Sequence, residues 1–264
     1  MLQSRFTTVL RLYLSPRKAM NNKALNFFRK PIVLATAILC FIYSVSSCVL
    51  NMTGSLSLYD ISGESYFGDI VFYIVNGFLL INSVILFLLY VFGKNQPERF
   101  RVTAIVFIAL AGSEILFYIV LTALLLLFFI AVQFILFASS LWFFPFSIAS
   151  SALVTGYSVI FGFIILICIL TNISKILFGV AVYRNVYGEK IRYRAALFNS
   201  IMSFLCSVTV LLCCVALIAF GLTYDYVLLN LGVLFTPLVL IYILTGVISF
   251  KYYSELKKLK VERV

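Results

Sequence analysis

The sequence contains no histidine, and charged residues make up only 11% of it. Average soluble chains have about 25% charged residues. Without histidine, the chain lacks the most frequent metal ligand and the most frequent general acid or base. Its six cysteines form no Cys-x-x-Cys pair, so no zinc or haem motif is present. We therefore expect no metal and no cofactor.

Catalytic signatures are also missing from the sequence. It has no Walker A motif, no Gly-x-Ser-x-Gly and no His-Glu-x-x-His. No aspartate lies deep in an apolar run, which excludes an intramembrane aspartyl protease. From these absences we expect that the protein is not an enzyme.

What the chain does have is long apolar sequence. Residues 102–183 carry only two charged side chains, Glu114 and Lys175, and 64% of all residues are hydrophobic. A transmembrane helix needs about 20 mostly apolar residues. A chain in lipid must also satisfy its own backbone hydrogen bonds, which favours helices. The sequence therefore predicts an all-α fold, a polytopic transmembrane helical bundle.

The polar breaks divide the chain into a basic leader (1–31), a transmembrane bundle (32–250) and a basic tail (251–264). Six spans are predicted inside the bundle, and both termini are expected to be cytoplasmic. The spans are 32–52, 69–93, 102–136, 152–183, 195–222, and a last one that follows residue 226 and ends near residue 250.

The segment 102–183 admits a second interpretation. Four crossings there would give eight spans, but they require a turn near residues 120–122, where no Gly, Pro or Asn is present. Turn-forming residues and Trp142 occur instead in the middle, within 137–151. We therefore favour two long spans, tilted or extending past the bilayer, with 137–151 at the outer interface or as a re-entrant element.

The charges are distributed asymmetrically along this topology. Of the 20 basic residues, all except Lys175 fall in predicted inner loops or tails. The charged residues in the predicted outer segments are all acidic. This pattern follows the positive-inside rule. It predicts a multi-pass protein of the plasma membrane. Its basic residues are expected to contact anionic lipid headgroups of the inner leaflet and not to bind nucleic acid. The inner loops could also dock a membrane or cytoplasmic partner protein.

The first thirty residues have several interpretations. Apolar residues between Arg5 and Arg11 fall near helical spacing, which favours an interfacial helix. Translation could instead start at Met20, or the acid-free stretch could be a targeting peptide. The segment Val45-Ser46-Ser47-Cys48 also resembles a loose lipoprotein box, although a cysteine in an apolar run is more often a small hydrophobic residue.

Glu114 is the sharpest polar feature inside a span. It lies about 18 Å along the helix from residue 102, near the predicted midplane, and Lys175 lies about 13 Å from Arg184. Because these depths nearly match, we expect the two side chains to pair between the third and fourth spans. The alternatives are that Lys175 extends to the headgroups and that Glu114 is protonated.

Uncharged polar residues within spans provide further candidates, and most such residues simply hydrogen-bond between helices. They are Asn76, Asn82, Gln133, Asn172, Asn199 and Asn230. A solute cavity lined by Asn76, Glu114 and Gln133 is one hypothesis. The candidate intramembrane polar site therefore comprises Glu114, Lys175, Asn76 and Gln133.

Two functions remain open from the sequence. The first is a non-enzymatic multi-pass membrane protein that acts as a bundle component or accessory subunit. The alternative is a small secondary transporter, or a substrate-binding membrane subunit, that uses Glu114 as its coupling residue.

Overall fold

The computed structural model describes residues 22–52, 66–93, 96–140, 144–187, 192–223 and 226–261. Of these residues 97% are helical and none is in a strand. A short helix and a 3-10 turn, Phe27–Arg29, precede six long helices. The helices are α1 (Asn22–Asn26), α2 (Pro31–Met52), α3 (Tyr66–Phe92), α4 (Pro97–Ser140), α5 (Phe144–Tyr187), α6 (Arg194–Thr223) and α7 (Tyr226–Val261).

Helices α2 to α7 are all long and apolar enough to cross a membrane, which gives six candidate spans in the described residues. Each of them exposes large apolar side chains, for example Phe41, Phe87, Leu116, Ile160 and Leu212. Soluble proteins avoid large exposed apolar patches, whereas lipid covers them without cost. The predicted class, a multi-pass helical membrane protein, and the six-span count agree with this architecture.

Helices α4 and α5 each contain 44 residues and pack against each other. At 1.5 Å per residue each is about 66 Å long, roughly twice the hydrocarbon thickness of a bilayer. Helix α4 runs unbroken through residues 120–122, so the eight-span alternative is wrong. The predicted junction 137–151 is mostly helical: its two ends belong to α4 and α5, and residues 141–143 lie outside the described residues.

Helix α4 begins at Pro97, five residues before the predicted start of the third span. Proline suits the first position of a helix because its missing N–H would have no partner there. Glu98 follows in the first turn, where a carboxylate stabilises the helix dipole. Helix α3 likewise begins at Tyr66, inside the predicted loop 53–68, and the rest of that loop with Asp60 and Glu64 lies outside the described residues.

Helices α6 and α7 form the most closely packed hairpin. At Gly221 an added Cβ would lie 2.2 Å from the Leu229 backbone nitrogen. At Gly232 it would lie 2.7 Å from a side-chain carbon of Ile218. The Ser200 hydroxyl donates to the Gly246 carbonyl oxygen over 2.9 Å. Small residues at these positions allow the two backbones to approach each other, as is usual in membrane helix pairs.

We call one end of the bundle the basic end. The helix ends that flank the basic loops lie there: α3 ends at Phe92, α4 begins at Pro97, α5 ends at Tyr187 and α6 begins at Arg194. Ala24, Leu25, Phe27 and Phe28 are nearly fully buried there. The Phe28 ring lies 5.4 Å from the rings of both Phe100 and Tyr252. This part of the predicted leader therefore packs into the bundle as an aromatic plug. Residues 1–21, on which the interfacial-helix, Met20-start and targeting interpretations depend, lie outside the described residues.

Candidate functional site

An ion pair joins helices α4 and α5 inside the bundle. The Lys175 Nζ atom lies 2.8 Å from Glu114 Oε2. The Glu114 side chain is only 5% exposed, and that of Lys175 is 17% exposed. The predicted pairing of these two residues is therefore present in the structure. Each charge stabilises the other in an environment where either one alone would be costly.

Helix α3 supplies a third member of this cluster. The Asn82 side-chain amide donates a hydrogen bond to Glu114 Oε1 over 2.5 Å. Both oxygens of the Glu114 carboxylate therefore accept a bond, one from a cation and one from a neutral amide. The cluster ties together three consecutive helices, α3, α4 and α5.

Two cavities adjoin this cluster. A cavity of about 50 Å³ is lined by Glu114, Tyr118 and Asn172, among others. A second cavity, of about 80 Å³, extends to Phe28 of the aromatic plug. Asn82, Lys175 and Tyr242 line both cavities, whereas Glu114 lines only the smaller one.

Asn172 has an unsatisfied acceptor in the smaller cavity. Asn172 is 3% exposed, and its Oδ1 atom has no hydrogen-bond partner among the described residues. A buried acceptor of this kind costs free energy unless water or a ligand reaches it. A water needs at least about 10–15 Å³ of probe volume, so this cavity has room for roughly three waters. Glu114, Lys175 and Asn172 give this cavity polar groups that can bind water.

A second polar layer connects α5, α6 and α7 next to the larger cavity. The Asn199 amide donates to the Ser249 hydroxyl over 2.8 Å. The Ser174 hydroxyl lies 2.8 Å from Asn199 Oδ1 and 2.7 Å from the Thr171 carbonyl oxygen, and its single hydrogen can serve only one of them at a time. Because Ser174 directly precedes Lys175, this layer adjoins the ion pair.

Asn76, another predicted site residue, has other hydrogen-bond partners. The Asn76 amide donates to the Phe72 carbonyl oxygen of its own helix, and the Asn76 backbone carbonyl accepts from Ser44 of α2 over 2.6 Å. The side chain of Gln133 lies outside the described atoms. Its position in α4 is nineteen residues beyond Glu114, about 28 Å along the helix axis, which separates it from the ion pair.

Helix rotation explains why Asn82 and not Asn76 meets Glu114. The two asparagines are six residues apart, which is about 240° around a helix with 3.6 residues per turn. Asn76 therefore faces α2 while Asn82 faces α4. From the sequence, Asn82 and Asn172 are expected only to hydrogen-bond between helices. The sequence does not reveal which face of α3 or α5 turns toward Glu114.

Glu114 lies near the middle of the candidate span Glu98–Val132, sixteen residues after its first residue and eighteen before its last. Because α4 begins at Pro97 and ends at Ser140, Glu114 lies about 26 Å from the first residue and about 39 Å from the last. The ion pair is therefore closer to the basic end of its helix than to the opposite end. Among the described residues, no three His, Cys, Asp or Glu side chains lie together as potential metal ligands.

The fold and this cluster define a multi-pass helical membrane protein with a buried, neutralised charge pair beside two small cavities. Comparison with family models, with curated proteins and with solved structures gave no match.

Proposed function

We propose that this protein is a non-enzymatic, multi-pass component of the plasma membrane, either a structural bundle protein or the accessory subunit of a membrane complex. The observation that carries this proposal is the complete internal pairing of Glu114 with Lys175 and Asn82. The charged side chain that is most deeply buried in the described residues is thereby committed to holding three helices together. Cavities of about 50 and 80 Å³ next to it have room for only a few waters.

A double-mutant cycle tests whether the pair acts structurally. Glu114→Gln and Lys175→Met each leave one buried charge alone, and breaking a buried pair in this way costs about 3–5 kcal/mol. The double variant should be much less damaging than the sum, since it leaves no uncompensated charge. The stability of the wild type, the two single variants and the double variant is measured by thermal unfolding of each purified protein in detergent. Additive losses would contradict the structural role.

The Lys30–Glu255 pair provides a matched control. It also joins a lysine to a glutamate in different segments, but both side chains are more than a third exposed. Exposed pairs contribute at most about 1 kcal/mol. Lys30→Met with Glu255→Gln should therefore show weak coupling in the same assay. Equal coupling in both cycles would mean that burial of Glu114 has no special consequence.

A small secondary transporter is the second candidate, and the cavities favour it. Lys175 lines both cavities and Glu114 lines the smaller one, where Asn172 Oδ1 has no partner among the described residues. Intramembrane ionisable groups next to polar cavities often form ion or proton pathways. In this interpretation the aromatic plug closes the larger cavity at the basic end, and Glu114 is the coupling residue.

Glu114→Gln distinguishes the two candidates in proteoliposomes that contain a pH-sensitive dye. If wild-type protein carries protons and the folded Glu114→Gln variant does not, the transporter interpretation is correct. If neither protein carries protons and the variant only unfolds at a lower temperature, the structural interpretation is supported. Thermal stability must be measured on the same preparations, since a misfolded variant would also lose transport.

The proposal includes an orientation. We propose that both termini and the basic end face the cytoplasm, where Lys and Arg side chains meet anionic lipid headgroups. The distribution of basic residues along the sequence supports this orientation. The same surface would also be the place for a cytoplasmic partner protein to dock.

A further inference from the structure

Helices α3 and α4 leave an open groove between them at the basic end. The groove has a volume of about 450 Å³, within the range of about 300–1,000 Å³ typical of ligand pockets. Its α3 wall consists of Ile85, Leu88 and Phe92, which share one face by their spacing of three and four residues. Its α4 wall consists of Glu98, Arg99, Val102, Thr103 and Val106.

The two ends of this groove differ in polarity. Arg99 lies at the mouth, exposed, with its guanidinium carbon 5.8 Å from the centre of the Phe92 ring. Beyond it the walls are apolar except for Thr103, whose hydroxyl is satisfied by the Arg99 carbonyl oxygen at 2.8 Å. Val102 remains 61% exposed, so the other helices do not cover the groove.

The dimensions match one leaflet of a bilayer. From residue 98 to residue 106 the α4 wall extends about 12 Å along the helix, and one leaflet of hydrocarbon is about 15 Å thick. A ligand that fits would have a charged group at the surface and an apolar chain running inward. We propose that this groove binds one anionic glycerophospholipid, with its phosphate on Arg99 and one acyl chain between α3 and α4.

The charges at the mouth favour this ligand. Arginine binds phosphate oxygens through two parallel N–H donors, and its aliphatic and planar parts tolerate an apolar surface. Glu98 also lies at the mouth, but it occupies the first turn of α4, where it stabilises the helix dipole. Arg99 is the one cation among the described residues that line the groove. The site is independent of the Glu114 cluster, and only the leaflet it faces depends on the proposed orientation.

Native mass spectrometry of the full chain, purified in detergent and titrated with dioleoyl phosphatidylglycerol, tests this proposal. Arg99→Gln should weaken the first bound lipid about tenfold, since it removes a charge-assisted hydrogen bond. Val106→Trp should weaken it similarly by filling the groove without changing any charge. The matched controls are Lys251→Gln, which removes an exposed cation at the same end, and Val208→Trp, which adds bulk on an exposed face of α6.

The remaining outcomes are equally decisive. Phosphatidylcholine should bind more weakly than phosphatidylglycerol at the wild-type groove, and inorganic phosphate should not displace the lipid. Wild-type affinity in both groove variants, or loss only in Arg99→Gln, would overturn the proposal. A dimer that Val106→Trp dissociates would also overturn it, since a second copy would then occupy the groove. The Glu114→Gln, Lys175→Met double variant, which leaves no uncompensated buried charge, should retain lipid, so failure of the proposed function and failure of this site are distinguishable.

Discussion

Gly221 of α6 lies directly against the backbone of Leu229 in α7, with no space for a side chain between them. An added Cβ at Gly221 would be 2.2 Å from the Leu229 nitrogen and 2.6 Å from its Cα atom. Because these contacts are with backbone and not with a flexible side chain, the helices would have to separate. We expect Gly221→Ala to cost at least about 1–3 kcal/mol, as overpacking does, and to lower the unfolding temperature in detergent.

Gly112 of α4 provides the control for this substitution. An added Cβ there would meet nothing within 4 Å. Alanine is also the better helix former by about 1 kcal/mol in water. Gly112→Ala should therefore be neutral or stabilising. Equal effects at both glycines would show that α6 and α7 do not approach each other as closely as described.

The Ser44 hydroxyl gives a second prediction, because its hydrogen bond crosses between helices. It is buried in α2 and donates to the Asn76 carbonyl oxygen of α3 over 2.6 Å. Interhelical hydrogen bonds in membranes contribute about 0.6 kcal/mol on average. Ser44→Ala should lower stability by about that amount. Ser113→Ala, which removes an exposed bond within one helix, should have no measurable effect.

Phe28 of the aromatic plug gives a third prediction. It is 1% exposed, packs against Phe100 and Tyr252, and lines the larger cavity. Phe→Ala substitutions in a core cost about 3–5 kcal/mol. We expect Phe28→Ala to lower the unfolding temperature strongly and to open the cavity at the basic end. Phe41→Ala, at a position 49% exposed on α2, should cost much less.

Thiol labelling can measure the opening of that cavity directly. Cys40 lines the same cavity and is buried. A small water-soluble maleimide should label Cys40 faster in folded Phe28→Ala than in the parent protein. The comparison needs a background in which the other cysteines are replaced. Unchanged labelling with unchanged stability would contradict the role of Phe28 as a plug.

Much of this architecture follows from the sequence. The near absence of charge in 102–183 leaves only membrane helices, and the matched depths of Glu114 and Lys175 predicted their pairing. The polar residues 97–101 suggest a loop, and the third span is therefore predicted to begin at residue 102. Helix α4 begins earlier, because Pro97 and Glu98 favour a helix start. The plug was not predicted, because Ala24, Leu25, Phe27 and Phe28 form only a short apolar run within a basic segment, too short to indicate a helix that packs into the bundle.

Asn82 shows a limit of a different kind. The sequence shows that Asn82 is a polar residue within a span. Its hydrogen-bond partner depends on the rotation of α3 about its axis, which is fixed by contacts along the whole helix. Ser44 of α2 bonds α3 at Asn76, and Asn82, about 240° further around the same helix, bonds Glu114 of α4. Such information lies in packing between distant segments, so the spacing within one helix does not reveal it.

The proposed orientation predicts which positions an impermeant reagent reaches from each side of the membrane. Arg99 and Arg192 are exposed at the basic end, and Thr223 is exposed at the opposite end of α6. In a background without the native cysteines, Arg99→Cys and Arg192→Cys should be protected in intact cells and labelled after lysis. Thr223→Cys should be labelled in intact cells. If Arg99→Cys and Arg192→Cys label from opposite faces, the six-span topology itself is wrong. If all three positions reverse together, the topology stands, and the basic end faces the exterior in spite of the positive-inside rule.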